Sequence, residues 1–217
     1  MLISQLVEYY TAHAADYWSQ VGTHIMLSLI VAVIAAAIGI PLGYLCTRYP
    51  KSAAFITGFV NVLRIVPSLA VMIIMIPLIG IGKVPAEIAL LIIAIPPIVI
   101  NTAAGFAMPD VSLFDIAKGM GMDDKQILWK VRVPLAVPLI FTGIRTSIVE
   151  TIASATIAAY IGAGGLGNIV FAGIGMNRVG ITALGGFSIA IISIIADYSL
   201  GAVQKVIERR CGVEPAE

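Results

Sequence analysis

Asp115-Ile116-Ala117-Lys118-Gly119-Met120-Gly121, followed after nine residues by Val131-Arg132-Val133-Pro134, is a polar stretch set between long apolar segments. The flanks decide the fold. The 217 residues are 59% hydrophobic and only 12% charged, with a mean hydropathy of +1.02. Such a composition cannot cover a water-soluble core with polar side chains, so the chain belongs in a bilayer. A spanning helix needs about 20 mostly apolar residues, and five stretches qualify: 24–46, 53–79, 85–106, 135–159 and 182–203. The expected fold is an all-α polytopic membrane protein of five transmembrane helices, whose termini lie on opposite sides.

Basic residues favour the cytoplasmic side of a membrane. With residues 1–23 outside, the inner segments carry Arg48, Lys51, Lys118, Lys125, Lys130, Arg132, Lys205, Arg209 and Arg210, against only Lys83 and Arg178 outside. The N-terminus is therefore expected outside and the C-terminus in the cytoplasm. The first 23 residues contain no Lys or Arg and no apolar core of the signal-peptide kind. Instead Ile3, Leu6, Val7, Tyr10, Ala14, Tyr17, Trp18 and Val21 recur at helical spacing, which predicts a short interfacial helix over 1–23. The membrane domain is expected over 24–206, with a cytoplasmic loop at 107–134 and a cytoplasmic tail at 207–217. Cys46 and Cys211 have no partners at metal-ligand spacing. His13 and His24 also lack it and suit an interface, so no metal site and no catalytic residue is expected.

The 107–134 loop is longer than an idle connection. Ser112 with Asp115, and Asp123 with Gln126, read as two capping boxes, with Gly119 and Gly121 at the break between two short helices. Such a unit presents a compact knob that buries Ile127, Leu128 and Val131, turns Lys125 and Lys130 outward and ends at Pro134.

Asp-Ile-Ala, three residues, Gly, nine residues, Val-Arg-Val-Pro resembles the Glu-Ala-Ala loop of binding-protein-dependent ABC transporter permeases, which ends in Ile-x-Leu-Pro. Asp115 replaces Glu, Ile116 replaces Ala, Val131 replaces Ile and Val133 replaces Leu. The resemblance implies the five-span type I importer fold. It also implies that Asp115, Ala117, Gly121 and Pro134 belong to a coupling helix seated in a groove of the ATP-binding subunit. Within the family the chain looks most like osmoprotectant permeases. The resemblance lies in Asn61-Val62-Leu63-Arg64-Ile65-Val66-Pro67-Ser68, Gly80-Ile81-Gly82-Lys83-Val84-Pro85-Ala86, Gly143-Ile144-Arg145-Thr146 and Ala159-Tyr160-Ile161-Gly162-Ala163-Gly164-Gly165-Leu166-Gly167. It departs from them at Arg64-Ile65, where they usually carry Gln-Thr, and related methionine permeases show Arg-Ser-Ile-Pro.

Gly162, Gly164 and Gly167 satisfy a Gly-x-Gly-x-x-Gly pattern, but they follow a membrane helix rather than a strand and no acidic residue follows at about 20 positions. Together with Gly165 they read as a gate element that lets the fourth span bend and pack on a second permease near the outer face. The chain holds no Gly-x-x-x-x-Gly-Lys-Ser/Thr phosphate loop. It is therefore expected to bind no cofactor itself, with ATP and Mg used by a separate ATP-binding subunit pair. The outer segments are too short for a solute-binding domain, so an extracytoplasmic binding protein is expected to deliver the solute. A second permease chain and membrane lipid complete the expected partners, with no nucleic acid.

Arg64, Arg145, Glu150 and Asp197 lie inside spans and must face protein or water. Counting about 1.5 Å per residue from the inner ends puts Arg145 and Asp197 at similar depths, so they are expected to pair. Arg64 lies beside Pro67, which kinks or interrupts the second span, and Asn61, Arg64, Pro67 and Ser68 are the expected path residues. Glu150 needs a partner of its own, across a dimer or elsewhere. Pro96-Pro97 is expected to break the third span, and Gly39 and Gly43 form a small-residue face in the first. The expected function is the permease of an ATP-driven importer for an osmoprotectant such as glycine betaine, carnitine or choline. The alternatives are an amino-acid permease, for methionine for example, and a stand-alone proton-coupled carrier titrating Glu150 and Asp197.

Overall fold

A computed structural model describes residues 2–108 and 111–211. Helix α1 (Leu2–Ala12) is followed by α2 (Ala14–Arg48), α3 (Pro50–Ile65), α4 (Ser68–Ile79) and α5 (Lys83–Ala107). The polar stretch forms α6 (Val111–Gly119) and α7 (Asp124–Ile127), and a π-helical turn, Leu128–Arg132, leads into α8 (Val133–Ala158). A 3-10 turn, Ala159–Ile161, and the short α9 (Gly167–Gly175) precede α10 (Val179–Cys211). Among the described residues α2, α5, the α7–α8 run and α10 are each long and apolar enough to span a bilayer, and α3 with α4 forms a fifth, broken unit.

Helix α5 is the hub, packed against α2, α3, α4 and α8. Its fully buried Ala86, Ala89, Ala94 and Ile98 meet Val31 and Ala35 of α2, Met72 of α4 and Ala155 and Ala158 of α8. Small residues set the spacing, because lipid tails supply little drive for helices to associate and close backbone contact must do so. A methyl group on Gly39 would come within 2.9 Å of Ile98, and one on Gly43 within 2.5 Å of Thr102. Gly143 presses in the same way against Asn101 and the Pro97 carbonyl. Phe55, Phe187 and Ile194 stay exposed on the outside of the bundle, as a lipid-facing surface requires.

Three expectations about elements need correction. The single helix expected over 1–23 is two: α1 ends at Ala12, and the helix that carries the first apolar stretch starts at Ala14 rather than at His24. Both helices are held by the last one: the Tyr17 hydroxyl of α2 lies 2.8 Å from Ser188 Oγ, and Gln5 of α1 accepts a hydrogen bond from the Gly180 amide. Pro96-Pro97 does not break the third span, since α5 runs unbroken through both. Asn101 Nδ2 donates to the Pro97 carbonyl and Ser147 Oγ to the Ala94 carbonyl, adding side-chain hydrogen bonds around the pair. His24 is not at an interface but fully buried, its Nε2 3.0 Å from the Ile152 carbonyl. The second span is interrupted beside Pro67, as expected: α3 and α4 meet at 96°. Val66 is extended, as a residue before proline is biased to be, and the new helix starts directly on Pro67.

Candidate coupling surface and translocation cleft

The knob is built on two local devices. Helix α6 ends in a Schellman motif in which the Met122 amide donates to the Ala117 carbonyl and the Gly121 amide to the Lys118 carbonyl. Gly121 takes φ +83 at the left-handed position, which side chains rarely tolerate. Helix α7 opens with a complete capping box: Asp123 accepts from the Gln126 amide at 2.7 Å, and the Gln126 side chain accepts from the Asp123 amide at 3.1 Å. The Arg132 guanidinium lies 4.1 Å from the centre of the Phe114 ring, clasping the end of the π turn onto α6. Ala117 and Ile127 are buried beneath, whereas Leu128 and Val131 are half-buried.

Two expectations about the knob are corrected. Helix α6 begins at Val111, so Ser112 lies in its first turn rather than capping it. Pro134 does not terminate the knob, because the backbone stays helical from Asp124 to Ile161. The π turn makes this possible: the Val133 amide reaches back five residues to the Leu128 carbonyl, and Pro134 falls in the first turn of α8, where the missing N–H costs little. Asp115 and Gly121 are exposed, and Ala117 is the buried underside of the same helix. Trp129, Met120 and Ile116 are apolar side chains left exposed on the knob, at 69%, 71% and 58%. A lone tryptophan between Lys125 and Lys130 was the signal of this available in the sequence.

The α3–α4 break opens a cleft of about 390 Å³. It brings Arg64, Pro67 and Ser68 together with Glu150 and Ser154 of α8 and Ile93 of α5. Asn61, one turn earlier on α3, is exposed and does not line the cleft. Glu150 thus faces Arg64 of its own chain, with no second copy needed to meet a cation. The two charges act on each other, yet the one ion pair closed within 4.0 Å among the described residues is a different one.

That pair joins Arg145 of α8 to Asp197 of α10 in fork geometry, Nε to Oδ1 at 2.7 Å and Nη2 to Oδ2 at 2.8 Å. Gln204 accepts from Arg145 Nη1, and its own amide donates to Thr142 and Glu208. Gly201 leaves room for the guanidinium, since a methyl group there would sit 3.2 Å from it.

At the other end of α8 the glycine segment forms a second Schellman turn, with the Ala163 amide donating to Ala158, the Gly162 amide to Ala159, and Gly162 at φ +88. Within the chain the glycines already pack closely. Gly165 lies against His24, Gly167 against the Thr156 carbonyl, and Gly162 against Ile81 and Gly82, while a methyl group on Gly164 would reach Thr23. The Gly82 amide also donates to the Ile161 carbonyl at 2.8 Å, tying the α4–α5 loop to the same turn.

Residues 39–213 match the model of the binding-protein-dependent transport system inner membrane component. The chain is 38% identical over 199 residues to the carnitine transport permease protein OpuCB of Listeria monocytogenes, covering 92% of this chain and 91% of the relative. It is 36% identical to the glycine betaine/carnitine/choline transport system permease protein OpuCB of Bacillus subtilis, covering 94% of each. The choline transport system permease protein OpuBB of the same organism is also 36% identical, over 92% of each chain. In fold the chain resembles the inward-facing MetNI methionine ABC transporter, with a TM-score of 0.74 at 22% identity over 90% of this chain and 95% of that one. An amino acid ABC transporter gives 0.71 at 16%, over 92% and 96%. The broken second span, the knob between the third and fourth spans and the match over most of the length agree: this chain belongs to the binding-protein-dependent transport family, as a multi-pass inner-membrane permease component.

Proposed function

We propose that this chain is the permease subunit of an ATP-driven importer of osmoprotectants of the quaternary ammonium type. The observation that carries the solute class is the 36–38% identity, spread over more than nine-tenths of each chain, to permeases named for carnitine, glycine betaine and choline. The likeness to the methionine transporter, at 22% identity, is one of fold.

In this reading Asp115, Ala117, Gly121 and Pro134 belong to the surface that docks a pair of ATP-binding subunits, and Trp129 and Met120 enter their groove. ATP and Mg are consumed there, and this chain carries out no covalent chemistry. The knob lies on the cytoplasmic side, with the N-terminus outside, and an extracytoplasmic binding protein delivers solute to the opposite face. A second permease chain, identical or paralogous, supplies the other half of the path. Nucleotide binding draws the two knobs together and turns the path outward; hydrolysis returns it inward. Arg64, Pro67 and Ser68 line the path, and the 162–167 turn forms its outer gate.

The test is uptake of labelled glycine betaine into vesicles holding this chain with its ATP-binding and solute-binding subunits. ATP-dependent uptake that excess unlabelled methionine leaves unchanged is expected. ATP-dependent uptake of methionine alone would overturn the solute class, and uptake without the ATP-binding subunit would overturn the importer.

A further inference from the structure

The cleft at the α3–α4 break combines features that a packing defect would not need. Its walls carry one cation, Arg64, and one anion, Glu150, on different helices, and Ser68, Ser154 and Ile93 line it with them. Arg64 lies in the last turn of α3, about 21 Å from the first residue of that helix, and Glu150 lies about 25 Å along α8. At such depth an ionised side chain is retained only against protein partners or water. These two nevertheless leave their pairing open, although their fields overlap. No aromatic ring lines the cleft, so a cation passing here is not held by ring faces. The anion available to it is Glu150, and the donor fork available to a carboxylate is Arg64.

We infer that the Arg64–Glu150 cleft is a transit subsite for a zwitterion, with Arg64 taking the carboxylate of the solute and Glu150 its quaternary ammonium. This rests on the proposed function and narrows it: glycine betaine and carnitine carry both charges, whereas choline carries only the cation. A solute with both charges replaces the open Arg64–Glu150 interaction with two closed ones and leaves no charge unmatched. A pure cation leaves the Arg64 charge uncompensated beside it, which selects against that solute. Pro67 contributes by holding Val66 extended, which turns α4 away and keeps the guanidinium from being covered by the helix that follows it.

The experiment uses the complete transporter in vesicles, with labelled glycine betaine, carnitine and choline offered separately. The wild type is expected to carry a zwitterion at least tenfold faster than choline. Arg64→Gln and Glu150→Gln should each lower zwitterion uptake at least tenfold, while Arg64→Lys retains a third or more. All three variants should co-purify with the ATP-binding subunit and melt at the wild-type temperature, which separates transit from folding. Should a glutamine variant not assemble, Arg64→Lys and Glu150→Asp carry the test, and they must show a solute-dependent change in rate. Choline carried as fast as betaine, or glutamine variants that assemble and transport normally, would overturn the subsite while leaving a quaternary ammonium importer intact. Uptake of no quaternary ammonium compound at all would instead overturn the proposed function on which it rests.

Discussion

Arg145 and Arg64 are both arginines inside apolar helices, each facing a carboxylate on a neighbouring helix, and they stand in opposite states. Arg145 closes a two-bond fork on Asp197 and adds a third bond to Gln204. Arg64 faces Glu150 across a cleft and closes nothing. Local backbone makes the difference. Helices α8 and α10 run past one another unbroken, with Gly201 removing the one side chain that would crowd the guanidinium. Helices α3 and α4 turn through 96° beside Arg64, so the groups that would cover it are carried away. A charge that is neutralised in place contributes to the fold, and one held open at similar cost is available to a visitor.

The largest effect on stability should come from the closed pair. Asp197→Ala strands a guanidinium among apolar helices and should cost about 2 kcal/mol, below the 3–5 kcal/mol of a fully buried pair. The discount reflects the 31% and 41% exposure of the two side chains. Thermal melting in detergent reads it. Replacing both partners, Arg145→Met with Asp197→Leu, should recover at least half of that loss, because no stranded charge remains. If the double variant is no more stable than Asp197→Ala, the pair acts through something other than mutual neutralisation. A smaller effect is expected from Gly201→Ala, whose methyl must push the guanidinium by a few tenths of an ångström, at about 1 kcal/mol by the same melt. The smallest belongs to the open set: Glu150→Gln should shift stability by less than about 0.5 kcal/mol, since no closed contact is lost. A loss there as large as that of Asp197→Ala would erase the distinction between the two sets.

Much of this was legible in the residues. Spans follow from hydropathy, and the Asp123–Gln126 capping box and the break at Gly121 follow from local chemistry that depends on residues three or four apart. The depth of Arg145 and Asp197 along two straight helices was enough to bring them level. What escaped the sequence depends on residues far apart in the chain. Nothing near residues 14–23 says that the first spanning helix starts there; Ser188, on the last helix, helps to hold that region in place through Tyr17. Pro134 was read as a stop because a proline normally ends a helix, and the π turn that absorbs it has no sequence signature of its own. The glycines of 162–167 announced close approach without saying to what, and the answer, His24 and the Thr156 carbonyl, lies on two other parts of the same chain. Glu150 had no visible partner because the 96° turn, not a periodicity, brings Arg64 opposite it.

The claim that the α3–α4 break opens a wet path can be tested at Ser68. Ser68→Cys, in a chain whose half-buried Cys211 is replaced by serine, should react with a membrane-impermeant thiol reagent in the assembled transporter. Glycine betaine with ATP should slow that reaction. The same reagent should leave Cys46, buried against Val60 and Val99, untouched. Labelling of Ser68→Cys that solute slows is the predicted result; no labelling with or without nucleotide and solute would contradict the account.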